Sequence, residues 1–185
     1  MGMENDSTFD VKFLDPQTVL DQLEIRPGMK VADFGCGAGH FSMVAAKKVG
    51  EKGVVFAFDI LSEKLETVRS QAKNLSITNI LTKRENLELE NGSKLPDASV
   101  DWVIIKDMLY QYKVKGKIRC EAKRVLAEKG KILVAEWITE NTSIGPQREL
   151  RIGKDALVDL AQKNGLGVFK DVSAGDFHYG VVLIK

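Results

Sequence analysis

Residues 31–41 decide the fold, and they read Val31-Ala32-Asp33-Phe34-Gly35-Cys36-Gly37-Ala38-Gly39-His40-Phe41. An apolar run leads into three alternating glycines, and apolar residues at helical spacing follow them. Glycines at a strand-to-helix turn let the backbone bend sharply and let a ligand touch main-chain atoms. The stretch therefore predicts a ligand-binding turn at the end of a buried strand. A tight turn that binds no ligand is the alternative.

Two acidic residues favour a ligand over a bare turn. Asp33 ends the first strand pattern, where a carboxylate could meet a cationic amino group. Asp59 ends the second strand pattern, roughly 20 residues after Gly39, which is the spacing of an acid that binds a ribose diol. Asp59 could instead cap the next helix. His40 stands where a dinucleotide fingerprint needs Gly or Ala, so a small cationic ligand with one adenosine fits better.

Short apolar runs alternate with longer amphipathic segments along the chain. Five such runs are Lys30–Phe34, Val54–Phe58, Ile80–Lys83, Val100–Ile105 and Ile132–Glu136. Several lack polar alternation, as is typical of parallel strands covered on both faces. Two last strand patterns, Gly167–Val172 and Tyr179–Ile184, lie too close together for a parallel crossover and must form an antiparallel hairpin. We therefore predict a three-layer α/β sandwich.

Composition excludes several classes of protein. The chain has 185 residues, enough for one domain, and a formal net charge of +1 that gives no nucleic-acid footprint. It has no apolar run long enough to span a membrane and no secretion signal, so we expect a cytoplasmic location. Two cysteines, Cys36 and Cys120, make neither a disulfide framework nor a zinc site, and no metal is expected.

Further motifs give the chain a family resemblance. Residues 31–41 resemble motif I of the class I S-adenosylmethionine (SAM)-dependent methyltransferases, and Asp59 matches the family's ribose-binding acid. Leu95–Asp101 is similar to its entry to strand four, and Glu121–Lys131 to its approach to strand five. The resemblance covers residues 15–185, with 1–14 as an extension. It implies a seven-stranded Rossmann-like sheet in the order 3-2-1-4-5-7-6 with the last strand antiparallel.

The resemblance also implies the cofactor and its contacts. SAM would be the methyl donor and S-adenosylhomocysteine the product. The group around the quinone-biosynthesis C-methyltransferases is the most similar. Asn86 stands where the family usually has an Asp near the adenine, and an amide oxygen can accept the same hydrogen bond. The cofactor-binding residues would be Asp33, Gly35, Cys36, Gly37, Gly39, Asp59, Ile60, Asn86, Leu87 and Lys106.

Residues for the acceptor are expected on loops at the carboxyl edge of the sheet. Asp107, Tyr110 and His178 are candidates for a general base, although methyl transfer from a sulfonium depends largely on alignment. Helix capping or packing is the alternative role for each. The long Trp137–Arg151 segment suggests a lid or binding loop. Candidates for acceptor contact are Tyr110, Trp137, Arg148 and His178, with core packing or a surface ion pair as alternatives.

The acceptor itself is not encoded in any motif. We expect a small molecule, because the chain has no basic patch and no added recognition domain. Two alternatives remain: an RNA or protein methyltransferase that needs a partner subunit, and a SAM-binding protein without turnover. A nicotinamide-dependent oxidoreductase is disfavoured by His40 and by the terminal hairpin. Exposed sheet edges could support a homodimer.

Overall fold

Seven strands form a single sheet in the computed structural model, which describes residues 11–109 and 115–185. The strands are β1 Lys30–Phe34, β2 Val54–Asp59, β3 Ile80–Arg84, β4 Val100–Lys106, β5 Leu126–Trp137, β6 Gly167–Ser173 and β7 His178–Ile184. Their order is β3-β2-β1-β4-β5-β7-β6, and β7 is antiparallel to both of its neighbours. The predicted fold class, strand order and terminal hairpin are confirmed.

Helices cover both faces of the sheet. They are α1 Pro16–Asp21, α2 His40–Val49, α3 Ser62–Asn74, α4 Lys115–Val125 and α5 Lys154–Lys163. Successive residues of β4 enter opposite cores: Trp102 and Ile104 pack with α1 and α2, whereas Val103 and Ile105 pack with α4 and α5. This two-sided burial explains why the strand sequences lack polar alternation.

The first helix, α1, was not predicted because it is too short to show a helical period. It begins with Asp15, whose carboxylate accepts a hydrogen bond of 2.8 Å from the Thr18 amide, followed by Pro16 in the first turn. Val19 and Leu20 are its buried residues. Among the described residues, no helix combines the length and apolar character that crossing a membrane requires.

The residues just before α1 lie against the hairpin of β6 and β7. The Asp176 amide donates to the Lys12 carbonyl at 2.8 Å, and the Lys12 amide donates to the Asp176 carboxylate at 2.8 Å. Phe13 and Phe177 are in ring contact at 5.6 Å between centroids. Gly175 has φ +80°, and a Cβ there would lie 2.6 Å from the Lys12 carbonyl oxygen, so glycine is required at this crossing.

The two motifs around strands four and five are joined by one buried carboxylate. Glu121 in α4 accepts hydrogen bonds from the Ser93 amide at 2.9 Å and the Ser93 hydroxyl at 2.6 Å. Arg124, one helical turn later, donates to Glu121 at 2.6 Å and to the Leu95 carbonyl at 2.8 Å. These contacts fasten the approach to β4 onto α4, which is a structural role.

The ionisation of Glu121 should matter for stability. Burial alone would raise the pKa of Glu121, but hydrogen bonds from Arg124 and Ser93 outweigh it and hold the pKa below its ordinary value. We expect Glu121→Gln to lower the free energy of unfolding by about 1–3 kcal/mol at neutral pH. Because a depressed carboxylate pKa gives stability that is lost as pH falls through it, the difference should shrink as pH falls below the ordinary pKa of a glutamate, about 4.3. Urea unfolding measures both quantities.

Asp97→Asn is the matched control. Asp97 also receives a hydrogen bond from Arg124, of 2.6 Å, but its side chain is 79% exposed. An exposed ion pair contributes little, so this variant should stay within about 0.5 kcal/mol of the parent. Equal losses in the two variants would contradict a special role for the buried carboxylate.

Candidate active site

The turn between β1 and α2 places three glycines in the left-handed region. Gly35, Gly37 and Gly39 have φ of +68°, +52° and +84°. A Cβ on Gly35 would lie 3.0 Å from the Met108 sulfur, and one on Gly39 would lie 2.7 Å from a methyl group of Val68. At Gly37 no atom of the described residues would lie within 4 Å of an added Cβ. Two glycines thus permit close packing, whereas the third leaves space beside the backbone.

The same turn is fastened to the end of β2. The Cys36 amide donates to the Phe58 carbonyl at 2.8 Å, and the Gly37 amide donates to the Asp59 carboxylate at 3.0 Å. The other oxygen of Asp59 accepts from the Leu61 amide at 2.9 Å. Leu61, not Asp59, is the N-cap residue of α3, so the capping alternative for Asp59 is not what the structure shows.

A first cavity of about 200 Å³ opens beside Asp59. Ile60, half exposed, lies on its wall, as expected for a residue that packs on a flat ring. Its full lining is Gly35, Gly37, Asp59, Ile60, Leu61, Lys64, Glu85, Leu87, Asp107 and Met108. This cavity brings together most of the residues that the resemblance assigns to the nucleoside part of the cofactor.

Asn86 is the exception among those residues. β3 ends at Arg84, and the Asn86 side chain is exposed and accepts a hydrogen bond of 2.9 Å from the Glu88 amide. This local turn directs the amide toward its own backbone. Glu85 lines the cavity instead and pairs with Lys94 at 2.8 Å. Asn86 thus lies outside the lining of this cavity, and its contact with the cofactor stays a prediction.

A second cavity of about 470 Å³ lies on the other side of the glycine turn. It shares Gly35, Gly37 and Asp107 with the first cavity, so the two meet along the turn. Its full lining is Leu14, Pro16, Asp33, Gly35, Cys36, Gly37, Ala38, His40, Phe41, Lys106 and Asp107. The predicted residues Asp33, Cys36 and Lys106 belong to this half.

Asp33 is a buried carboxylate at the base of the second cavity. The Ser42 hydroxyl donates a hydrogen bond of 2.5 Å to it, but burial dominates and raises the pKa of Asp33 to about 6. A cationic group beside it would favour the charged form. Burial also raises the pKa of the neighbouring Cys36 thiol, which therefore stays neutral and is no nucleophile.

Two candidate bases, Asp107 and His178, meet at this edge of the sheet. The Asp107 carboxylate lies 2.9 Å from Nε2 of His178 and also pairs with the Lys106 ammonium. Burial would raise the pKa of Asp107, but the hydrogen bond to His178 and the charge of Lys106 hold it below the ordinary value. Asp107 is thus ionised at neutral pH and accepts hydrogen bonds.

Glu136 holds the backbone that presents Asp107. Its buried carboxylate accepts hydrogen bonds from the Met108 amide at 2.8 Å and the Leu109 amide at 2.6 Å. Asp107 itself has φ +49°, a left-handed conformation that is uncommon outside glycine. Sequence reasoning assigned Glu136 no role. The available signal was a carboxylate that directly follows the four apolar residues 132–135 near the end of a strand.

The described candidates for acceptor contact lie outside the lining of both cavities, and His178 adjoins that lining through its contact with Asp107. Trp137 packs on the His178 ring at 4.2 Å between centroids and is absent from the lining of both cavities. Arg148 is exposed on a short 3-10 helix, Arg148–Leu150, and also lies outside that lining. Tyr110 falls outside the described residues. Within the long loop it is Arg151, expected only to end that loop, whose guanidinium makes hydrogen bonds to the loop's own oxygen atoms.

The fold and this bipartite site define a class I SAM-dependent methyltransferase domain. A sequence profile of the family described as "Methyltransferase domain" matches residues 25–165, and the chain belongs to that family. The predicted family membership and SAM as cofactor are thereby confirmed. The structure is similar to that of a SAM-dependent methyltransferase from Aquifex aeolicus, with a TM-score of 0.84 and 26% identity, covering 94% of this chain and 91% of the other.

Curated relatives point to the same family. A ubiquinone/menaquinone biosynthesis C-methyltransferase of Blochmanniella floridana is 29% identical over 132 residues, covering 70% of this chain and 50% of the relative. The corresponding protein of Paraburkholderia phymatum is 31% identical over 118 residues, covering 63% and 46%. The chain spans 28% to 50% of the length of the first curated relatives that it matches.

The titration of Asp33 generates a first test of the site. Because the folded-state pKa of this acid is raised, its burial should cost stability increasingly as pH rises from about 4 to about 6. Asp33→Asn removes that cost, so its free energy of unfolding relative to the parent should increase by up to roughly 3 kcal/mol between about pH 4 and pH 7. Urea unfolding of the ligand-free proteins measures this difference.

Binding should change in the opposite direction. At neutral pH the amide introduced by Asp33→Asn offers no charge to a cationic amino group, so this variant should bind SAM more weakly than the parent although the rise in pH favours its folded state relative to the parent's. Calorimetric titration with SAM gives the comparison. A variant that binds as tightly as the parent at neutral pH would remove Asp33 from the cofactor site.

The contrast between an open and a crowded glycine position generates a second test. Gly37→Ala places a methyl group in open space beside both cavities at a left-handed residue, which should cost about 1–2 kcal/mol of stability but block SAM binding. Gly39→Ala meets Val68 at 2.7 Å and should cost about 2–4 kcal/mol. Thermal unfolding and SAM titration separate the two effects. Tight SAM binding by the Gly37 variant would contradict the assignment of the space beside Gly37 to the cofactor.

Proposed function

We propose that this chain transfers the methyl group of SAM to a small-molecule acceptor bound in the second cavity. One observation carries the proposal: the two cavities meet at Gly35, Gly37 and Asp107, and each is lined by its own acid, Asp59 in the first and Asp33 in the second. A ligand with a ribose in one half and a cationic amino group in the other matches that distribution of acids.

The residues present fit SAM as the bound group. Asp33 is a buried acid whose pKa is raised, and a cation beside it would stabilise its charged form. The space beside Gly37 is open to a ligand, and the Cβ of any other residue would enter it. Asp59 faces the first cavity next to Ile60, in the position for a ribose diol and a base. When bound, SAM supplies a methyl group already activated on a sulfonium. The protein's task is then mainly to align the acceptor.

The acceptor is proposed to enter beside α1. The second cavity has an outer wall of Leu14, Pro16, His40 and Phe41, and its volume of about 470 Å³ lies within the range of small-molecule sites. The net charge of +1 supplies no attraction for a nucleic acid. An apolar wall with a few polar groups is typical of sites for compact organic molecules.

Asp107 is proposed to orient the acceptor. Asp107 lines both cavities, and its carboxylate stays ionised at neutral pH and can accept a hydrogen bond from a hydroxyl or amine. His178 holds one oxygen of that carboxylate at 2.9 Å, and Lys106 pairs with the other. A proton released from the acceptor would pass to this carboxylate–imidazole pair, where the two groups can share it.

Asp59→Ala tests the cofactor half of the proposal. The substitution removes the acceptor of the Gly37 and Leu61 amides, so affinity for SAM and S-adenosylhomocysteine should fall by about tenfold or more. Calorimetric titration measures it, with Asp159→Asn on the exposed face of α5 as the control expected to match the parent. Binding by Asp59→Ala equal to that of the parent would refute the assignment.

Acceptor fractionation tests the other half. The protein is incubated with SAM and with low-molecular-mass, RNA or protein fractions of a cell extract, and S-adenosylhomocysteine is quantified. We expect formation only with the low-molecular-mass fraction, and its loss in Asp107→Asn. Methylation confined to the RNA or protein fraction would replace the small-molecule proposal. Tight SAM binding with no product in any fraction would favour a binding protein without turnover.

A further inference from the structure

The connection between β5 and α5, residues 138–153, is held together from within by Arg151. Its guanidinium donates to one hydroxyl and four carbonyl oxygens at 2.9–3.2 Å: Thr142 Oγ1 and the carbonyls of Ile138, Glu140, Ile144 and Pro146. A planar guanidinium with several fixed N–H groups can serve all of these acceptors together, whereas a lysine ammonium has three donors at one point. The loop is therefore an ordered structure built around one side chain.

That loop closes on the indole of Trp137. The Arg151 guanidinium carbon lies 5.7 Å from the centroid of the indole. Gly145, at φ +94°, approaches so closely that a Cβ would lie 2.5 Å from a ring carbon of Trp137. Only glycine permits this contact. We call residues 138–146, held by Arg151, the indole cap.

Trp137 in turn fixes the ring of His178. The two residues are direct partners across β5 and β7, and their rings lie 4.2 Å apart. His178 is buried, its Nε2 lies 2.9 Å from Asp107, and its Nδ1 has no hydrogen-bond partner among the described residues. The orientation of the imidazole therefore depends on Asp107 on one side and on the Trp137 indole on the other.

We propose that Arg151 is a positioning residue of the acceptor site. Through the indole cap it holds Trp137 against His178, and His178 fixes the carboxylate of Asp107, a residue that lines both cavities. Arg151 itself lines neither cavity, so its effect on the site is transmitted through these packed side chains. The importance of this series of contacts for methyl transfer rests on the proposed function, but the contacts themselves do not.

Histidine NMR tests the proposal directly, since the chain contains only two histidines. In the parent, the imidazole signals of His178 should carry a ring-current displacement from Trp137, whereas those of the exposed His40 should not. His40→Asn assigns the signals. Arg151→Lys should remove most of the displacement at His178, because a lysine cannot hold all five oxygen acceptors of the loop. Arg148→Lys, in the adjoining short helix, is the matched control and should leave both histidines unchanged.

A second variant perturbs the same contact without touching Arg151. Gly145→Ala puts a methyl group where only 2.5 Å is available and should displace the indole, so the His178 signals should move as they do in Arg151→Lys. If Arg151→Lys fails to fold, the His178 signals of Gly145→Ala decide whether the loop fixes the Trp137 indole against His178. Parent-like His178 signals in either folded variant would overturn the proposal, as would an equal change in Arg148→Lys.

Comparing SAM affinity with turnover shows whether Arg151 positions the acceptor site specifically or stabilises the whole domain. SAM affinity should stay within about twofold of the parent in Arg151→Lys, because the arginine is outside both cavities. Formation of S-adenosylhomocysteine with the low-molecular-mass fraction should fall by about tenfold or more, since misplacement by an ångström can cost on the order of 100-fold. An equal loss of SAM affinity would overturn the positioning role. The NMR comparison needs neither ligand, so failure of the parent to bind SAM would count against the proposed function alone.

Discussion

The turn between β1 and α2 exists only because three alternate residues lack a Cβ. Gly39 lets α3 approach through Val68, and Gly35 lets the turn after β4 approach through Met108. Gly37 gives its amide to Asp59 at the end of β2. The ends of three neighbouring strands thereby meet within one loop. Every cavity wall in the site depends on that convergence, because a side chain at any of these positions would separate the elements or fill the space.

The acids gathered at this edge differ because their surroundings differ. Asp33 has one hydroxyl partner and a buried position, so burial dominates and its pKa is raised. Asp107 is also largely buried, but Lys106 and His178 outweigh the effect and its pKa is lowered. One acid is therefore suited to receive a cation from a ligand, whereas the other is already satisfied by the protein. Two carboxylates of the same type thus acquire different chemical roles.

The antiparallel last strand has a consequence for the site as well as for the topology. Because β7 runs against its neighbours, its first residue, His178, lies at the edge where β4 and β5 end. Those strands deliver Asp107 and Trp137 to the same place. A parallel seventh strand would begin at the opposite edge of the sheet and would put its last residue here instead. The hairpin therefore brings an imidazole to a site otherwise built from parallel strands.

The sheet order followed from the family resemblance, whereas the residues themselves determined the strand pattern, the glycine turn and the two acids near the ends of β1 and β2. These features are local: a short apolar run, a glycine spacing and a carboxylate at a strand terminus each carry their own physical signal. Tertiary structure decided which side chains face the cavities. After β3, Glu85 lines the first cavity and the next residue, Asn86, does not. In the long loop after β5, Arg151 rather than Arg148 makes the hydrogen bonds that hold the loop together. The pairing of Asp107 with His178 joins residues 71 positions apart. Such contacts depend on backbone conformation and packing across the whole sheet, which no local pattern encodes.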